Sequence, residues 1–144
     1  MMRLIIEENE FYRKVGLLIM YCQQIEHDVK IIYAGMLKGE FDNNYKAIKN
    51  KTLGQVVSLL ISLDKSNSPD FTKEQYALLK EITSIRNYWV HNAFSEYRYK
   101  RGDDCVKAYN SIAERLIQEE KEFNELSVSL EKRRLGLMKK YGRI

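Results

Sequence analysis

The feature that most constrains this chain is a run of apolar residues, early in the sequence, whose spacing alternates between four and three positions. The run comprises Phe11, Val15, Leu18, Cys22, Ile25, Val29, Ile32 and Met36. Because this spacing places every member on one side of an α-helix, it predicts one amphipathic helix over residues 10–38. A repeat close to 3.5 residues suits near-parallel packing against other helices, which favours a helical bundle.

Two further helices are predicted from capping residues that precede apolar faces. Thr52 is followed three residues later by Gln55, which is the spacing of a capping box, and a short helix should therefore cover about 53–64. Thr72 and Gln75 repeat the spacing at the start of a third helix. The turn-forming residues between these two helices, which include the only proline, separate them clearly.

The rest of the chain completes an all-α prediction. The third helix should end at about Phe94, and a last long helix should begin at Asp103 or Asp104, either of which can cap it. Residues 39–50 are polar and are predicted to form a loop. Since no segment has the alternating pattern of a strand, the sequence predicts an up-and-down bundle of four main helices.

Length and composition limit the class of protein. A chain of 144 residues with 44% hydrophobic content is expected to form a single domain over residues 1–144, with a basic tail from about residue 131. Two cysteines and two histidines make a disulfide scaffold or a four-ligand zinc site improbable, so no metal or cofactor is predicted. Without a signal-peptide pattern or an uncharged run of about 20 residues, a cytoplasmic protein with no membrane contact is expected.

The positive charge is unevenly distributed. Residues 1–72 hold nine basic and nine acidic side chains, whereas residues 73–144 hold fifteen and eleven. Within the second half, basic residues form two clusters, which are Arg98, Lys100 and Arg101, and then Lys132, Arg133, Arg134, Lys139, Lys140 and Arg143. Such clusters can bind a polyanion, and they can equally be the solvated face of a helix followed by a frayed tail.

Several enzyme classes lack their signatures in this sequence. There is no glycine-rich phosphate-binding loop, no dinucleotide-binding fingerprint, no nucleophile elbow and no paired-histidine zinc motif. The polar residues that remain candidates for chemistry are Arg86, Asn87 and His91, late in the predicted third helix. They can also be read as a polar seam within a bundle, satisfied by neighbouring backbone groups.

The chemistry of these three residues suits cleavage of RNA without a metal. An arginine can bind a phosphate through two donors, and a histidine can transfer protons near neutral pH. In this reaction the 2′-hydroxyl attacks the adjacent phosphate and leaves a 2′,3′-cyclic phosphate end. His91 would act as general base or acid, Arg86 would stabilise the developing charge, and Asn87 would position them.

The spacing of this motif raises a geometric question. Residues five apart diverge by about 140° around a regular helix, so Arg86 and His91 are poorly placed to bind one phosphate. Either the helix is distorted near residues 88–90, or a second copy of the chain completes the site across a two-fold axis. We favour the second solution, which predicts a homodimer.

The Arg-Asn-x-x-x-His sequence resembles the HEPN superfamily, whose hallmark is Arg-x4–6-His with a polar residue just after the arginine. Arg86, Asn87 and His91 match this hallmark position by position. Supporting matches are Ile25-Glu26 within the first helix, Thr52-Leu53-Gly54 at the start of the second, and Val90 before His91. The resemblance implies a helical bundle that usually dimerises and is often a metal-independent ribonuclease in toxin–antitoxin, phage-defence or RNA-processing systems.

The sequence also departs from part of that family. In HEPN toxins paired with a nucleotidyltransferase antitoxin, a modified tyrosine follows the histidine by two positions, whereas Ala93 stands there in this chain. Many HEPN domains have lost catalysis, so the alternative is a non-catalytic helical module that binds nucleotide, RNA or a protein partner. A third interpretation is a purely structural dimerisation protein.

Two further groups of residues are candidates for supporting roles. Glu26 lies beside the apolar stripe of the first helix and should be half-buried, where it can orient Arg86 or His91 or simply pair with a lysine. Aromatic and basic residues alternate in Tyr97, Arg98, Tyr99, Lys100 and Arg101. This pattern can bind single-stranded RNA, and the tyrosines can equally pack back onto the bundle.

Overall fold

The structure, a computed structural model, describes residues 2–144, and no strand occurs among them. The helices are α1 (Glu8–Met36), α2 (Phe41–Ile48), α3 (Leu53–Leu63), α4 (Lys73–Asn87), a π-helical turn (Tyr88–Asn92), the single turn α5 (Ser95–Arg98) and α6 (Gly102–Lys140). The all-α prediction is confirmed. A buried core runs through the bundle and includes the apolar face of α1.

The two predicted capping boxes form and define where α3 and α4 begin. The Thr52 hydroxyl accepts a hydrogen bond from the Gln55 amide at 3.2 Å, and the Gln55 side chain accepts from the Thr52 amide at 2.9 Å. Thr72 and Gln75 make the same reciprocal pair at 3.1 and 2.8 Å. Each pair satisfies two amides that have no partner within the helix.

The prediction of a loop over residues 39–50 is wrong, because α2 lies within it. Ile48 is buried, and Phe41 and Tyr45 pack against the core at partly buried positions. Their spacing of i, i+4 and i+7 is that of a helix, but the segment is short and its other residues are mostly polar. The side chain of Asn44 donates to the carbonyls of Ala34 and Leu37 at 3.1 and 3.0 Å and so caps the end of α1. This contact turns the chain back along α1.

The additional helix, α2, changes the direction of the last helix relative to the first. The first residues of the chain meet the start of α6, where the Ile5 amide donates to Asn110 at 2.9 Å. The far ends also meet, because Arg143 donates to the carbonyl of Gly35 at 3.0 Å. α1 and α6 therefore run parallel, and the simple up-and-down order predicted for four helices is wrong, since α2 adds one reversal.

α4 runs antiparallel to α6, because the residues just before α4 lie near Arg133, late in α6, whereas Trp89, just after α4, contacts Glu119, earlier in α6. Near the start of α4, the buried carboxylate of Asp64 accepts hydrogen bonds from the amides of Asp70 and Phe71 and from the Tyr76 hydroxyl, at 2.9, 3.0 and 2.6 Å. The guanidinium of Arg133 lies 4.9 Å from the centre of the Phe71 ring. Burial, followed by the bond to Asp64, raises the pKa of Tyr76 above its usual range.

The segment that the sequence presents as a basic tail belongs to the bundle. α6 remains helical through Lys140. Arg134 lies 3.3 Å from the buried carboxylate of Asp28 on α1, and Arg143 also donates to the carbonyl of Leu37 at 2.8 Å. Two of the six basic residues in this cluster therefore stabilise the contact between α1 and α6.

Gly35 of α1 packs directly against a side chain of α6. A Cβ atom at this position would overlap the Sδ and Cε atoms of Met138, which is itself buried. By contrast, a Cβ atom on Gly16, also in α1, would meet no atom within 4 Å. The two glycines therefore have different roles, although they occupy the same helix.

We expect Gly35→Ala to lower the free energy of unfolding by about 1–2 kcal/mol, because overpacking against Met138 outweighs the better helix propensity of alanine. The double variant Gly35→Ala with Met138→Ala should lose less stability than the sum of the single variants, since the new methyl group fills the vacated space. Urea unfolding measures both effects.

Gly16→Ala is the matched control and should raise stability by up to about 1 kcal/mol. If both glycine variants were stabilised equally, the close contact between Gly35 and Met138 would not limit the packing of the two helices.

Candidate functional site

The predicted site lies where α4 changes into a π-helix. The amide of Ala93 donates to the carbonyl of Tyr88 at 2.9 Å, which closes a turn five residues long. A π-helical turn is wider than an α-helical turn, so residues five apart lie nearer to one side of the helix. The angle around the helix between Arg86 and His91 is therefore smaller than the value of about 140° for a regular α-helix.

This distortion is the first of the two geometric solutions weighed from the sequence. The divergence of about 140° assumed a regular α-helix, and that assumption is wrong for residues 88–92. A second protomer is thus no longer required to explain how Arg86 and His91 could meet one phosphate.

Arg86 is held by an acidic residue of α1. Its Nη1 atom donates to Oε2 of Glu26 at 3.1 Å, and the other carboxylate oxygen of Glu26 lies 3.4 Å from Nζ of Lys30. Both partners expected for Glu26, the motif arginine and a lysine, are therefore present together. The side chain of Arg86 remains 31% exposed, and its planar guanidinium has further N–H donors that could bind an anion.

Cys22 lies beneath this ion pair and is buried, as its position in the apolar stripe predicts. Burial raises the pKa of its thiol to about 11, although the nearby positive charge of Arg86 acts in the opposite direction. A thiol with this pKa is almost fully protonated near pH 7 and is a poor nucleophile.

His91 and Asn87 are both exposed. Within residues 2–144, neither side chain forms a hydrogen bond. The imidazole of His91 can therefore be reached by a ligand from solvent. The motif thus divides into a held arginine and two accessible polar groups.

The opposite side of the π-helical turn is anchored to α6. Trp89 is buried, and its indole N–H donates to Glu119 at 2.5 Å. Nε of Arg115 also donates to Glu119, at 2.6 Å, and its guanidinium lies 3.9 Å from the centre of the Tyr88 ring. This cluster was not found from the sequence, because about 30 residues separate its two parts.

The ring of Tyr88 is constrained at its hydroxyl group as well. This hydroxyl donates to Glu96 at 2.7 Å. Burial, and then the bond to Glu96, raise the pKa of Tyr88 to about 12, so the phenol stays protonated at neutral pH. The first two residues of the turn, Tyr88 and Trp89, are therefore both held by side-chain contacts, whereas His91 is exposed.

The segment predicted to bind RNA divides into buried and exposed residues. Tyr97 is only 5% exposed and packs edge-on against Phe11 and Tyr109, so its ring is not available to a base. Its assignment as a stacking residue is corrected for this reason. Tyr99 is 82% exposed, and the basic residues Arg98, Lys100 and Arg101 are exposed with it.

Two further properties of the described chain bear on the site. None of the helices in residues 2–144 combines the length and apolar character needed to cross a membrane. In the same part of the chain, no group of three or more histidine, cysteine or acidic side chains is arranged to hold a metal ion.

Comparison with known proteins assigns no relative to this chain, since no family model, curated protein or solved structure matches it. The resemblance to the HEPN superfamily therefore depends on the motif residues and their surroundings.

The ion pair between Arg86 and Glu26 can be tested through the buried thiol beneath it. In a Cys105→Ser background, which leaves Cys22 as the only thiol, a thiol reagent should label the native protein only when α1 and α4 separate locally. Glu26→Ala should increase the labelling rate by about tenfold or more, because it leaves a half-buried guanidinium without its partner.

Gln23→Ala, at an exposed position of the same helix, is the control and should leave the rate unchanged. Equal labelling rates in the Glu26 and Gln23 variants would show that the ion pair does not hold the two helices together.

Proposed function

We propose that this chain is a HEPN-like, metal-independent endoribonuclease that acts through Arg86 and His91 as a homodimer. The observation that carries the proposal is the π-helical turn between Arg86, which Glu26 holds, and the exposed His91, because a wider turn reduces the angle between the two side chains around the helix. A held guanidinium and an accessible imidazole are the two groups that phosphodiester cleavage needs.

In the proposed reaction, the 2′-oxygen of one nucleotide bonds to the adjacent phosphorus while the bond from phosphorus to the 5′-oxygen breaks. The proton of the 2′-hydroxyl passes to a neutral imidazole, and the leaving 5′-oxygen receives a proton from an acid. The products are a 2′,3′-cyclic phosphate and a free 5′-hydroxyl. Arg86 would stabilise the charge on the phosphoryl oxygens, and Asn87 would orient the phosphate.

The need for both a base and an acid supports a dimer. Each chain has one histidine at the motif, and the other, His27, is on α1 beside Tyr45. A second copy across a two-fold axis would supply a second motif histidine to the same cleft. The exposed apolar side chains of Met20 and Val90, at 62% and 49% exposure, lie on the elements that carry the site and could be covered in such a dimer.

The four longest helices, α1, α3, α4 and α6, would then correspond to the HEPN-like core, with α2 as an addition. The biological setting would be toxin–antitoxin control or phage defence in the cytoplasm, with an antitoxin or other protein as a further partner. Ala93 argues against control by modification of a tyrosine at that position.

The second candidate is a non-catalytic module that binds RNA, nucleotide or a protein through the same surface. It is favoured by the absence, within the described residues, of any hydrogen bond that fixes the ring of His91. A general base is normally oriented by such a bond. The first candidate cleaves RNA, whereas the second binds its ligand without cleaving it.

Cleavage of a mixed RNA pool in EDTA tests the proposal. The wild type should yield 2′,3′-cyclic phosphate ends, and His91→Ala should lower the cleavage rate by at least about 100-fold through loss of proton transfer. Arg86→Lys should also reduce it strongly, since an ammonium group keeps the charge but lacks the planar donor pair.

His27→Ala removes the other histidine and should cleave like the wild type. Circular dichroism and thermal unfolding establish that the variants remain folded. RNA binding without turnover by a folded, dimeric wild type would support the second candidate instead.

A shared site in a dimer can be tested with mixed dimers. If one cleft uses His91 of both chains as base and acid, a heterodimer of a wild-type chain and a His91→Ala chain should be nearly as inactive as the His91→Ala homodimer, because only one histidine remains in the cleft. The measurement is cleavage by a purified, doubly tagged heterodimer. About half of the wild-type activity in that heterodimer would show that each chain acts through its own histidine.

A further inference from the structure

An exposed aromatic ring lies one turn beyond His91. Phe94 is 47% exposed, although it directly follows the buried Ala93. The ring of Tyr97 meets it edge-on, with 5.5 Å between the ring centres and 74° between the planes. One part of the Phe94 ring therefore packs against the buried Tyr97, while the other part faces solvent.

The surroundings of Phe94 are polar and carry cations. The guanidinium of Arg98 lies 5.5 Å from the centre of the Phe94 ring, and Lys100 and Arg101 follow it on the surface. The nearest acidic residue in sequence, Glu96, accepts a hydrogen bond from Tyr88. Phe94 is thus a small aromatic surface beside a row of basic side chains.

The first residues of α6 extend this basic surface. Lys100, Arg101 and Lys107 surround an open depression of about 520 Å³, together with Asp104. Asp103 and Asp104 lie in the first turn of the helix, where negative charge favours the helix dipole. Lys100, Arg101 and Lys107 therefore form a basic surface that follows Phe94 along the chain.

We infer that Phe94 and Arg98 form a nucleobase-binding surface that stacks one base of single-stranded RNA next to the phosphate held at His91. This inference rests on the proposed function, because it names the substrate contact beside the proposed catalytic residues. The base stacks on the exposed ring, Arg98 contacts the base or its phosphate, and Lys100 and Arg101 bind the following phosphates.

A base suits this surface better than a protein partner. A stable protein interface has an apolar centre of several side chains, whereas four exposed neighbours of Phe94 in the sequence, Asn92, Ser95, Glu96 and Arg98, are polar. Stacking on a ring and attraction of phosphates to cations are the two contacts that single-stranded nucleic acid makes most often. Both are present here within two turns of helix.

Binding is measured with the inactive His91→Ala chain and a fluorescently labelled single-stranded RNA, beside an RNA of equal length without bases. Adding Phe94→Ala should weaken binding of the RNA by at least about fivefold, because one stacking contact is lost. Binding of the RNA without bases should change by less than twofold. Phe94→Trp should restore tight binding, since a larger ring also stacks.

Leu135→Ala is the matched control, because Leu135 is also 47% exposed but lies near the other end of α6. It should bind both RNAs like the parent chain. Arg98→Ala should weaken binding of both RNAs and reduce its dependence on salt concentration.

Three results would overturn the inference. They are an unchanged affinity in Phe94→Ala, an equal loss for the two RNAs, and conversion of the dimer to a monomer by Phe94→Ala, which would show that a second copy covers the ring. Because binding and cleavage are measured separately, base-dependent binding without turnover would retain the inference and reject the ribonuclease. Cleavage with no dependence on Phe94 would do the reverse.

Discussion

The parallel contact between α1 and α6 is the interaction on which the other parts of the structure depend. These helices have 29 and 39 residues, and they meet along most of the length of α1. At Gly35 the contact is made by the side chain of Met138, which packs against the glycine backbone, and the contact also includes the buried carboxylate of Asp28 paired with Arg134. Burial raises the pKa of Asp28, whereas the nearby positive charge of Arg134 acts in the opposite direction. α2, α3 and α4 each pack against α1.

The candidate site follows from how α4 meets both of these helices. Arg86 is bound by Glu26 of α1, whereas Trp89 is bound by Glu119 of α6. Arg86 and Trp89 are three residues apart and contact different helices. The π-helical turn, Tyr88–Asn92, includes Trp89 and continues past it. The extra residue in the turn reduces the angle around the helix between Arg86 and His91, while Trp89 stays in the core.

The aromatic residues after the motif illustrate how far sequence patterns can be taken. Alternation of aromatic and basic residues marked Tyr97 and Tyr99 as equivalent, yet the first is buried and the second is exposed. Tyr97 is buried because Phe11 and Tyr109, from the first and last helices, form a pocket for it. Phe94 carries no signal in the sequence beyond ending an apolar stripe. Whether Tyr97 faces solvent depends on Phe11, about 85 positions before it, and on Tyr109, 12 positions after it.

The sequence by itself determined the helical class, the apolar face of α1, the two capping boxes and the identity of the polar motif, because these depend on contacts within a few residues of each other. It also pointed to Glu26 as a half-buried group in need of a partner. Only the tertiary structure decided that α1 and α6 are parallel and that α4 widens at residues 88–92. Each of these features results from side chains that are distant in sequence and compete for the same buried volume, and a local pattern carries no record of that competition.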